Sequence, residues 1–99
     1  MKSQLQSELV LVIQELRGVM AAYRAHIPFD EMHPRIPAAE IAICISELFL
    51  KDEVHLPLSK IEVWFQHGRN VEDAFQRTPF ERGINLYYRM LELCRELYF

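Results

Sequence analysis

Residues 78–99 read TPFERGINLYYRMLELCRELYF, and this stretch decides the fold. Thr78 is a good helix N-cap, Pro79 suits the first helical position, and Glu81 falls in the first turn, where an acid is favoured. The spacing predicts a helix from Pro79 nearly to the C-terminus. Phe80, Ile84, Tyr87, Leu91, Cys94 and Tyr98 recur at helical spacing and form one apolar seam. Leu86, Met90, Leu93 and Leu97 form a second seam beside it, while Glu81, Arg82, Asn85, Arg89, Glu92 and Glu96 hold the opposite half. A helix apolar over half its circumference needs neighbours on two sides. This fourth helix is therefore expected at the centre of the fold. Leu97-Tyr98-Phe99 closes the chain without a polar tail, so these side chains are expected to dock on the core or on a partner.

Upstream, three more segments carry the helical period and none reads as a convincing strand. The first runs from Gln4 to His26, with Ser3 and Gln6 placed as a capping box. Its core stripe is Leu5, Leu9, Val12, Ile13, Leu16, Val19, Met20, Tyr23 and Ile27. Its far side is small: Gly18, Ala21, Ala22 and Ala25. Residues 28–37, PFDEMHPRIP, hold three prolines and read as a firm connection in which Phe29, Met32 and Ile36 pack down. The second helix is expected from Pro37 to about Lys51. Ile41, Cys44, Ile45, Leu48 and Phe49 form one face, with Ala39, Ile43, Ser46 and Leu50 on the other. A helix apolar on both sides is central or lies at an interface. After the connection DEVHLPL, Ser59 and Glu62 make a second capping box for a third helix carrying Ile61, Trp64, Phe65, Gly68, Val71 and Phe75. Gly68 either admits a close neighbour or divides this helix in two. The expected fold is all-α: one domain over residues 1–99, a compact bundle of four helices, or five if Gly68 divides the third, with helix four central.

Composition bounds the function. Ninety-nine residues give one core but no deep cleft beside it, and 51% apolar residues argue against disorder. The net charge is −3. Residues 1–36 and 69–99 are each balanced, and the acidic surplus lies between, at Glu40, Glu47, Asp52, Glu53 and Glu62 against Lys51 and Lys60. No linear basic patch suits nucleic acid. No secretory signal opens the chain and no apolar run is long enough for a membrane span, so the cytoplasm is expected. Cys44 and Cys94 lie within apolar helical patterns and read as reduced core thiols.

Chemistry-bearing residues do not assemble in the sequence. His26, His33, His55 and His67 show no zinc-type pairing, and Asp30, Glu31 and His33 share a loop without a metal motif. None of Ser3, Ser7, Ser46 and Ser59 sits in a nucleophile elbow, and no glycine-rich phosphate loop is present. No catalytic residue, metal site or cofactor is expected.

Residues 60–70, KIEVWFQHGRN, resemble the recognition-helix core of the homeodomain family, with Trp64, Phe65, Gln66 and Arg69 matching. The resemblance covers about a tenth of the chain and implies a DNA-binding regulator of helix-turn-helix type, with helix three as the reader. The chain departs from the family where that family reads DNA. His67 stands in place of its adenine-contacting asparagine, and Gly68 follows. Val71-Glu72-Asp73-Ala74-Phe75 replaces its basic tail, and only Lys2 precedes the first helix. Trp64 and Phe65 are better read as helix-three core.

The sequence thus points to a small regulator or inhibitor that binds another protein, of antiactivator, anti-defence or immunity type. A helix-turn-helix DNA-binding regulator and a homodimeric structural subunit of a larger complex are the alternatives. The residues expected to contact a partner or a second copy are Ala39, Ile43, Leu50, Leu93, Leu97 and Phe99.

Overall fold

The computed structural model describes residues 2–52, 57–67, 71–76 and 80–98, the side chains of Leu58, Ile61, Trp64, Phe65 and His67 excepted. The described residues are all-helical: α1 (Lys2–His26), α2 (Arg35–Leu50), α3 (Leu58–His67) and α4 (Arg82–Tyr98), with single 3-10 turns at Phe29–Glu31 and Val71–Asp73.

The architecture is not the expected bundle of four or five helices. Three long helices, α1, α2 and α4, make the body, and α3 is a ten-residue crossover against α2. It is α2 that touches α1, α3, α4 and the second 3-10 turn, while α4 packs chiefly along α1. At about 1.5 Å per residue, the 25 residues of α1 account for the longest dimension of the molecule, 37 Å.

The stripe of α1 packs as its period requires. Leu9, Val12, Ile13, Leu16, Val19, Met20 and Tyr23 are buried, with Leu5 and Ile27 packed at the ends. Two sets of ion pairs flank it. Toward α4, Arg89 Nε and Nη2 donate to Glu8 at 2.6 and 2.7 Å, and Arg82 Nη2 donates to Glu15 at 2.5 Å. Toward α2, Arg17 pairs with Glu47 and Arg24 with Glu40. On every helix the two charges stand seven residues apart, which keeps them on one flank. One step of seven up α1 meets one step of seven down its neighbour, so α2 and α4 both run antiparallel to α1.

Consequently α2 and α4 are parallel to each other. Their contact is marked by the Cys94 thiol donating to Ser46 Oγ at 3.3 Å and by the Phe49–Tyr98 stack at 4.7 Å. Ser46, buried in mid-helix, also donates to the Ala42 carbonyl at 2.8 Å, so its hydroxyl is satisfied. At the other end Tyr23 meets Phe75 and Phe80 edge-on, with ring centroids 6.0 and 5.4 Å apart. This cluster locks the second 3-10 turn and the start of α4 onto the end of α1.

Helix ends differ from the sequence reading. Lys2 already belongs to α1 and Arg35 to α2, so Ser3 lies inside the first turn and Pro37 is not the first helical residue. Ser59 is likewise internal to α3, whose entry is the Lys60 N–H bond to the Pro57 carbonyl at 3.0 Å. The α-helical part of α4 starts at Arg82, after a turn in which the Gly83 N–H donates to the Phe80 carbonyl at 2.9 Å. The Thr78-Pro79 start signal and Gly68 lie outside the described residues. At the end of α2, Asp52 takes a left-handed backbone (φ 56°), a usual way to close a helix.

Gly83 is where α1 and α4 approach most tightly. A Cβ there would stand 3.1 Å from the Phe75 ring and 3.1 Å from Val19 Cγ1. Both neighbours are buried and cannot withdraw. Substituting Gly83→Val is expected to lower unfolding stability by about 1–3 kcal/mol through overpacking, measured by urea denaturation against wild type. An unchanged midpoint would mean the contact is loose.

Candidate interaction surface

Three of the six residues expected at an interface lie in the core of the chain itself. Ala39, Ile43 and Leu93 are buried, Ile43 at 1% exposure, and Leu50 and Leu97 pack against the same core. Phe99 lies outside the described residues. The two faces of α2 are divided differently from the sequence reading: Ile45 and Phe49 join Ala39, Ile43 and Ser46 on the core side. Ile36, Ala39, Ile43 and Ser46 make the central buried seam, with Ala42 and Ile45 beside it. The outward stripe is Pro37, Ile41, Cys44 and Leu48, all exposed. Hydrophobic period alone cannot choose between two apolar faces. The choice follows from Glu40 and Glu47, which must reach Arg24 and Arg17 on α1.

The Arg17–Glu47 and Arg24–Glu40 pairs border this stripe, and the Arg17 guanidinium also reaches Cys44 Sγ at 3.7 Å. Hydrogen bonds to Glu47 and Glu40 hold both guanidiniums further into their charged form than usual. On the α4 side, hydrogen bonding to Arg89 pulls the Glu8 carboxyl below its ordinary value of 4.5. Further exposed apolar side chains are Val10 and Leu11 on α1, Val63 on α3, and Phe29 on the first 3-10 turn. The expectation that Phe29 packs down is wrong: it is 86% exposed, whereas Met32 is half-buried and Ile36 fully buried.

The titratable groups show no catalytic arrangement among the described residues. Asp30, Glu31 and His33 line a shallow cavity of about 390 Å³ with Tyr23, Met32 and Asp73. His33 is already engaged there: its N–H donates to the Tyr23 hydroxyl at 3.3 Å, and its Nδ1 accepts from the Arg35 N–H at 3.1 Å. Among the described residues no three His, Cys, Asp or Glu side chains are placed to hold a metal ion. His26 Nδ1 lies 2.8 Å from the Ala22 carbonyl of its own helix. No helix among the described residues is long and apolar enough to cross a membrane.

The two cysteines part company. Cys44 is exposed, against the expectation of a core thiol, and Cys94 is buried. Burial pushes the Cys94 thiol up to about 11, the contact with Ser46 opposing the shift. Burial likewise raises the Tyr87 phenol, whose hydroxyl has no hydrogen-bond partner among the described residues.

The chain matches no family model, no curated protein and no solved structure. Function is therefore argued from this surface alone.

The thiols carry a direct prediction. A maleimide is expected to label Cys44 rapidly in the folded protein and Cys94 only after denaturation. Equal labelling of both without denaturant would contradict the burial of Cys94. The pH dependence follows from the same groups. Each is neutral when buried, and the unfolded chain ionises first, near 9.0 for the thiol and 10.0 for the phenol. The stabilisation from the thiol is complete below pH 9 and is lost as pH rises to about 11, and that from the phenol begins to be lost above pH 10. Tm is expected to fall across that window, and to fall less in Tyr87→Phe, which removes the phenol and its unpaired hydroxyl.

Proposed function

We propose that the chain is a small cytoplasmic regulator or inhibitor that acts by covering a surface of another protein with the outward stripe of α2. The observation that carries this reading is that α2 is apolar on both sides. One side is consumed by the core, and the other leaves Ile41, Cys44 and Leu48 exposed at helical spacing over eight residues. Contiguous exposed apolar surface usually marks an interaction site. The row has the anatomy of a protein interface, with an apolar centre and an ion-paired rim supplied by Arg17–Glu47 and Arg24–Glu40.

Charge weighs against nucleic acid as the partner. Arg17, Arg24, Arg82 and Arg89 each face a carboxylate rather than open solvent, and the chain carries a net −3. Two free thiols suit a reducing compartment. The mode of action expected of such a surface is steric: an antiactivator, anti-defence or immunity protein blocks the site it covers and needs no chemistry of its own.

The test is capture of a tagged copy from its native cytosol with nuclease added. Wild type is expected to retain one protein at near-equal amount. Ile41→Glu and Leu48→Glu are expected to keep the wild-type circular dichroism spectrum and lose that protein. Ile43→Glu serves as the core control: a charge at a fully buried position is expected to unfold the chain. Retention of the partner by both stripe variants would overturn the reading.

A further inference from the structure

We draw no further inference here: the strongest candidate, the shallow cavity of about 390 Å³ at the end of α1 lined by Asp30, Glu31, His33 and Asp73, is an acidic cluster beside which nothing among the described residues points to a ligand.

Discussion

Two ladders of opposite charge along α1 are the constraint on which the rest of this structure depends. An apolar seam tells a helix which side to bury. It does not say which neighbour belongs on which flank. Here α1 carries acids toward α4, Glu8 and Glu15, and arginines toward α2, Arg17 and Arg24. The neighbours carry the complements: arginines at 82 and 89 on α4, glutamates at 40 and 47 on α2. Exchanging α2 and α4 would set acid against acid and arginine against arginine. A slip of one heptad on either flank would strand one pair of the two. Such exposed pairs add little to stability, but they discriminate between packings that hydrophobic burial would tolerate equally.

The remaining features follow from that placement. The eight-residue connection after α1 makes α2 run back along it. Because α4 must also run antiparallel to α1, the chain has to cross back to the starting end, and α3 with the second 3-10 turn makes that crossing. Orienting Glu40 and Glu47 toward α1 turns Ile43 and Ser46 inward and Ile41, Cys44 and Leu48 outward. On the other flank, Arg82 and Arg89 hold α4 against α1, where a side chain at position 83 would crowd Phe75 and Val19. The proposed partner stripe is thus the outer edge of the α1–α2 flank.

Much of this was legible in the residues, and the errors have physical causes. The stripe from Leu5 to Ile27 was legible because it is far richer in large apolar residues than the opposite side, where only Val10 and Leu11 are large and apolar. The same reasoning failed on α2, where both sides are apolar and period cannot decide. The seven-residue spacing of Glu8 and Glu15 with Arg82 and Arg89, and of Arg17 and Arg24 with Glu40 and Glu47, was present in the sequence and would have resolved it. Phe29 was expected to pack down with Met32 and Ile36. Hydrophobicity suggested burial, but after Pro28 the chain buries Ile36 and packs Met32 against the core while Phe29 stays in solvent. The interface residues Ala39, Ile43 and Leu93 were chosen as surplus, and they are the core itself.

The measurement that bears most directly on this account is thermal unfolding of a charge-reversal cycle at low ionic strength. Glu8→Arg with Glu15→Arg sets like charges along the α1–α4 flank, and the account predicts a lower Tm. Adding Arg82→Glu and Arg89→Glu rebuilds the ladder with its polarity inverted, and Tm is predicted to return toward wild type, with the whole difference shrinking as salt is raised. If the four-fold variant is no more stable than the two double variants would give by simple addition, the ladders do not govern the packing of these helices.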